Sequence, residues 1–179
     1  MLTRNLRRVQ EVASIGLTRD LRRLLLASAG AIINTEVIPR IIVDTNVLVG
    51  AMISARGSNR SVLRNCFEGT AQPVLGEALF LEYEDVLGRS LLMARSPLNA
   101  AERKGLFEAF LSVCDWVDVY FGWRPNLPDE DDNHLIELAV AGAVGWLVTN
   151  NIADFKRAEL RFPQIRVVRP AEFLKEAIR

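Results

Sequence analysis

The run Arg40-Ile-Ile-Val-Asp-Thr-Asn-Val-Leu-Val49 constrains the fold more than any other stretch of this 179-residue chain. After Arg40 it opens too uniformly apolar for a strand with one wet face, which suits a parallel strand covered on both sides. At Asp44, Thr45 and Asn46 it turns into a short apolar helix. Asp44 is thereby expected at the carboxyl end of a buried strand.

The rest of the sequence repeats that alternation. Gln72-Pro-Val-Leu75 reads as a strand leading into a helix over about 77–88. Ser58 is placed to cap a helix through Phe67, stopped by Gly69. Asn99 with Glu102 reads as a capping box opening a helix to about Val113. Val117–Tyr120 reads as a strand, Asp132–Gly142 as a helix, Trp146–Thr149 as a strand, and Ile165–Val168 as a last strand before a helix starting at Pro170. Strands alternating with helices predict an α/β fold: a three-layer α/β/α sandwich around a parallel five-stranded sheet.

That order brings four acids to one edge. Asp44 and Asp154 follow strands, Glu82 lies on the helix after a strand, and Asp132 sits at a helix amino terminus, where a carboxylate caps free N–H groups and is favoured by the helix dipole. With right-handed crossovers, all four reach the carboxyl edge of the sheet, where open α/β sheets bind ligands. Four clustered carboxylates repel unless a cation sits among them. Magnesium prefers oxygen ligands, keeps several waters and is gripped by one or two carboxylates, so Asp44 and Asp132 are candidates for direct ligation, with Glu82 and Asp154 acting through water or a second ion. Asn46 and Thr149 are placed to orient carboxylates or water. Ser58, at a helix start, can meet a phosphate.

Charge narrows the partners. The net charge is zero, but residues 1–40 hold seven arginines and three acids, a net +4, leaving 15 basic and 19 acidic residues in the remainder, a net −4. The body has no global basic field for nucleic acid, so phosphate binding must come from a metal and local cations. Arg56, Arg60 and Arg64 lie near one helical face, a solvated face or a track for a nucleic-acid backbone. Cys66 and Cys114 form no C-x-x-C and read as reduced, buried thiols. His134 is the only histidine, too few for a zinc site or a histidine triad; it reads as a partly exposed helix residue near Asp132.

No 18-residue apolar run exists, so no membrane span is expected, and the acids and free thiols suit the cytoplasm. Residues 1–39 read as an N-terminal extension to a catalytic body over 40–179. Within the extension, Arg22, Arg23 and Leu24–Ile33 resemble a weak signal-peptide core, and Leu21, Leu24 and Leu25 can equally mark a short amphipathic helix or a disordered tail. Val37 stands where a non-standard start codon would place an initiating residue.

Four segments together carry a family resemblance: Ile42-Val-Asp-Thr-Asn-Val-Leu48, Leu81-Glu-Tyr-Glu-Asp-Val-Leu87, Asp129-Glu-Asp-Asp-Asn133 and Val148-Thr-Asn-Asn-Ile-Ala-Asp-Phe155. In order and spacing they resemble the successive motifs of PIN-domain proteins, especially the VapC-like toxins of bacterial toxin–antitoxin systems. The resemblance spans roughly residues 40–179 and implies a magnesium- or manganese-dependent ribonuclease, dimeric, and restrained by a cognate antitoxin. By motif, Asp44 is its first acid, Glu82 its second and Asp132 its third, with Asp131 beside it. Many such domains carry Thr-Gly-Asp after the fourth strand; here Thr149-Asn150-Asn151 puts an amide in that place. The chain matches instead a Thr-x-Asn-x-x-Asp-Phe pattern in which Asp154 supplies the charge.

Two other classes fit parts of the pattern. A haloacid-dehalogenase-type phosphatase also places an Asp after its first strand but needs a second Asp where this chain has Asn46. An inert PIN-like interaction domain would keep the fold without the metal, a reading that Asn151 invites. No G-x-G-x-x-G or P-loop follows a strand.

Overall fold

The computed structural model describes residues 38–120, 132–155 and 162–178. The expectations for residues 1–37 and for Asp131 fall outside these. In chain order the elements are β1 (Arg40–Val43), α1 (Thr45–Ile53), α2 (Ser58–Glu68), β2 (Gln72–Leu75), α3 (Glu77–Gly88), α4 (Ser90–Met93), α5 (Ala100–Val113), β3 (Asp115–Trp116), α6 (Asn133–Ala141), β4 (Trp146–Val148), α7 (Ile152–Phe155), β5 (Arg166–Val168) and α8 (Pro170–Glu176).

The five strands form one sheet in the order β3-β2-β1-β4-β5, every neighbouring pair parallel. Ile41, Ile42 and Val43 are all buried. Successive strand residues point to opposite faces, so β1 is covered on both sides and the sheet is the middle of three layers. α1 is buried almost all round, through Val47, Leu48, Val49, Ala51 and Met52. Tyr83, Phe107 and Phe110 pack edge to face, with ring centroids 6.1 and 6.2 Å from Tyr83, and weld α3 to α5.

Most predicted boundaries hold within a residue or two, and the capping box at Asn99 and Glu102 is present. Gly69 ends α2 at φ 76°, the left-handed conformation that suits glycine. Two expectations are corrected. The residue before α2 is Gly57, with no side-chain cap, so Ser58 is the first helical residue rather than the cap. β3 covers Asp115–Trp116 instead of Val117–Tyr120. β2 offers only Val74 and Leu75 for pairing, and after Val117 N–H bonds the Leu75 carbonyl (2.8 Å) the β2 chain turns into α3, leaving nothing for residues 118–120 to pair with. Asp115 also faces Arg40 across the sheet, at 2.7 Å.

Both cysteines are free; Cys66 is buried and Cys114 half-buried. Burial pushes the Cys66 thiol up to about 12, so it stays protonated at neutral pH. Among the described residues no helix is long and apolar enough to cross a membrane.

Candidate active site

Strand order reverses at β1, between β2 and β4, and Asp44 lies just past the carboxyl end of β1 at that point. Its backbone N–H bonds the Val148 carbonyl (3.0 Å), extending the β1–β4 ladder by one residue. Its side chain caps α1: Oδ1 accepts from Asn46 N (3.1 Å) and Oδ2 from Asn46 Nδ2 (2.8 Å). Asn46 Nδ2 also donates to Thr149 Oγ1 (3.2 Å), so the expected supporting pair meets beside the carboxylate. On the other side, the buried Tyr83 hydroxyl donates to the carbonyl of Val43, the residue before Asp44.

Asp44 is only 6% exposed. Burial raises its pKa, hydrogen bonds from Thr149 and Asn46 pull it back, the negative charge of Glu82 pushes it further up, and the net shift is upward.

Glu82 sits in the second turn of α3. Burial alone would raise its pKa, but hydrogen bonding to His134 and Thr45 and the charges of His134 and Arg89 outweigh it and hold the carboxyl below its ordinary range. The Thr45 hydroxyl is buried beside Glu82. Glu82 Oε2 lies 3.1 Å from His134 Nε2. His134 is the partly exposed helix residue expected, with its side chain 11% exposed where the start of α6 packs against α3.

The two shifts oppose each other, which gives a direct expectation. In the metal-free protein Asp44 is expected to titrate above the ordinary Asp value of 3.8 and Glu82 below the ordinary Glu value of 4.5. Carboxyl-carbon NMR titration reads both, and Asp44 titrating below 3.8 or Glu82 above 4.5 would refute the expectation. The linkage follows in sign. Glu82, with its pKa lowered, contributes stability that is present above pH 4.5 and lost as pH falls through its folded value. Asp44, with its pKa raised, contributes below pH 3.8 and loses that contribution as pH rises through its folded value, so its ionisation works against folding at neutral pH.

Asp132 and Asp154 complete the edge. Arg40, at the start of β1, donates to the Gly142 carbonyl after α6 (3.0 Å), which places the end of α6 at the amino edge of the sheet. The start of α6, with Asp132 immediately before it, accordingly lies at the carboxyl edge. Asp132 is in helical conformation and its side chain makes no capping hydrogen bond, contrary to the expected cap. After β4, Asn151 N–H bonds Thr149 Oγ1 (2.9 Å) and Asn151 Nδ2 donates to Asp154 Oδ2, tying the amide at 151 to the acid at 154. Ser58 is half-buried at the start of α2. Of the three arginines, Arg56 and Arg64 are exposed, while Arg60 is engaged with the Ala51 carbonyl (2.9 Å).

Topology thus places all four acids at one edge, but among the described residues no three His, Cys, Asp or Glu side chains converge closely enough to hold a cation as a closed cage. The donor set fits a hydrated hard cation instead. Magnesium needs only one or two carboxylates and retains waters, and Asp44 is a desolvated carboxylate further burdened by Glu82, a charge that a cation would relieve. Several participants escaped the sequence reading: Thr45 and Tyr83 beside the acids, the Glu82–His134 pair, and Asn150, whose N–H donates to Asn46 Oδ1 (2.9 Å). Adjacency to Asp44 and Glu82 in sequence was the available signal for Thr45 and Tyr83; the others depend on contacts between distant segments.

A doubly wound parallel sheet with acids at its switch point defines the class. Residues 40–153 match the PIN domain, and the chain belongs to that family. Among solved structures it is similar to VapBC2 from Rickettsia felis bound to a DNA fragment from their promoter, with TM-score 0.50 and 15% identity over 73% of this chain and 98% of that one. It is also similar to DNA-bound VapBC from Salmonella typhimurium, with TM-score 0.49 and 17% identity over 74% and 98%. At 15% identity the likeness to the VapBC2 structure is one of fold. No curated protein matches the chain.

Proposed function

We propose that this protein is a magnesium- or manganese-dependent ribonuclease that hydrolyses phosphodiester bonds of single-stranded RNA, and that it is the toxin of a toxin–antitoxin pair. The observation that carries the reading is Asp44: a desolvated carboxylate at the switch point of a PIN-domain sheet, fixed by Asn46 and repelled by Glu82. A cytoplasmic homodimer bound by an antitoxin is the assembly this reading implies; the fold likeness to the VapBC2 structure supports the antitoxin.

In this reading Asp44 and Asp132 would hold the cation, with Glu82 and Asp154 supporting it through water or a second ion. When bound, the cation lowers the pKa of a water and neutralises charge growing on the phosphate. The side chains have separable tasks. Asn46 and Thr149 orient Asp44. Glu82, kept ionised by His134 and Thr45, is a fixed negative charge rather than a proton carrier. Asp154 presents its carboxylate under the grip of Asn151. In this reading Ser58 and the exposed Arg56 and Arg64 would meet the RNA backbone.

The test is cleavage of labelled single-stranded RNA. Products should form with manganese, vanish with chelator and be strongly reduced in Asp132→Asn; cleavage surviving both would point to a contaminating nuclease. The lack of three converging ligands among the described residues favours one rival, an inert interaction domain. Intact RNA across varied sequences and metals would decide for it.

Asn151 and Asp154 supply a finer test. Because Asn151 Nδ2 donates to Asp154, Asn151→Asp would set two carboxylates against each other. The variant should melt lower without metal yet gain more from added manganese than the parent, while Asp154→Asn should lose activity. A fully active Asp154→Asn protein would remove Asp154 from the site.

A further inference from the structure

Gly50 of α1 and Asn59 of α2 lie outside the acid set, yet the structure links them to it. A Cβ built on Gly50 would come within 2.0 Å of Asn59 Nδ2 and 3.0 Å of its Cγ, so the Asn59 amide lies across Gly50 in space that only a glycine leaves free. Glycine inside a helix is less favourable than alanine, and this contact gives α1 a reason to carry one. From that seat Asn59 Oδ1 is 3.5 Å from Asn150 Nδ2 in the loop after β4. Asn150 donates to Asn46 Oδ1 twice, from its backbone N (2.9 Å) and from Nδ2 (3.2 Å). A backbone N–H can only donate, so the Asn46 amide is oriented without ambiguity: its oxygen faces Asn150 and its nitrogen faces Asp44 Oδ2 and Thr149 Oγ1.

We propose that Asn59, seated on Gly50, is a positioning residue that sets Asn46 through Asn150 and so fixes how Asp44 presents its carboxylate to a divalent cation. The relay joins four separate elements: α2, the loop after β4, α1 and the end of β1. It rests on the reading of Asp44 as a cation ligand, and it adds residues that none of the four acid-bearing segments contains, apart from Asn46 and Asn150.

The variant that tests it is Gly50→Ala. The new methyl meets the end of the Asn59 side chain rather than backbone, so the amide swings away while α1 gains a better helix former. The melting temperature should stay level or rise while manganese affinity, measured by calorimetry, falls about tenfold, the scale typical of losing a group that orients a ligand. Asn59→Ala should lose as much, and the double variant no more than either single one, since both break the same link. Asn59→Asp keeps an oxygen for Asn150 and should retain affinity. Unchanged affinity in Gly50→Ala, or losses that add, would overturn the relay. If the parent protein binds no manganese, the cation reading itself fails. The side-chain amide NMR signals of Asn46 and Asn150, which should shift in metal-free Gly50→Ala, then decide the relay alone; unmoved signals would refute it.

Discussion

Replacing Asp44 by Asn should abolish measurable manganese binding and reduce RNA cleavage by more than about 100-fold, beyond the 10- to 100-fold expected for groups that only orient a ligand. Asn cannot reproduce the arrangement around Asp44. Both carboxylate oxygens accept, one from Asn46 N and the other from Asn46 Nδ2. An amide retains one acceptor, so the substitution removes the charge and also sets an NH2 group against a donor of Asn46, either its backbone N–H or its Nδ2. Calorimetry with manganese and a single-turnover cleavage assay read the two effects separately. The melting temperature gives a third reading, since a ligand that binds only the folded state raises it. Manganese should raise the melting temperature of the parent and leave that of Asp44→Asn unmoved. A variant that binds manganese as the parent does would remove Asp44 from the metal site.

The largest stability effect is expected at Tyr83. It is fully buried, packs edge to face on Phe107 and Phe110, and its hydroxyl donates to the Val43 carbonyl. Tyr83→Ala should cost about 3–5 kcal/mol, because the ring's burial is lost and a cavity opens between α3 and α5. Tyr83→Phe keeps the ring and should cost about 1–3 kcal/mol, the penalty for stranding a buried carbonyl. The two costs come from urea unfolding. In the Phe variant, metal affinity should weaken as well, since Val43 immediately precedes Asp44 and its carbonyl loses the bond that fixes it from the α3 side. A Phe variant equal to the parent in both stability and affinity would show that the hydroxyl positions nothing.

These two residues mark where the sequence stops being sufficient. Asp44 was legible because its signal is local. An apolar run that ends in Asp-Thr-Asn can be read from neighbours alone, and burial of successive residues on β1 requires cover on both faces. The alternation of strands and helices likewise determined a parallel sheet, and the parallel sheet determined which edge the acids share, because handedness leaves one arrangement.

The tertiary structure decided what depends on segments far apart in the chain. Glu82 and His134 are 52 residues apart, and only the packing of α6 on α3 turns a lone histidine into the partner that holds Glu82 ionised. The end of β3 was decided by where β2 turns away, which no pattern within 115–120 can express. Gly50 and Asn59 carry no local signal, and only the packing of α1 on α2 puts one against the other. Local periodicity and turn chemistry reach only a few residues along the chain, whereas hydrogen bonds and desolvation depend on which surfaces the completed fold presses together.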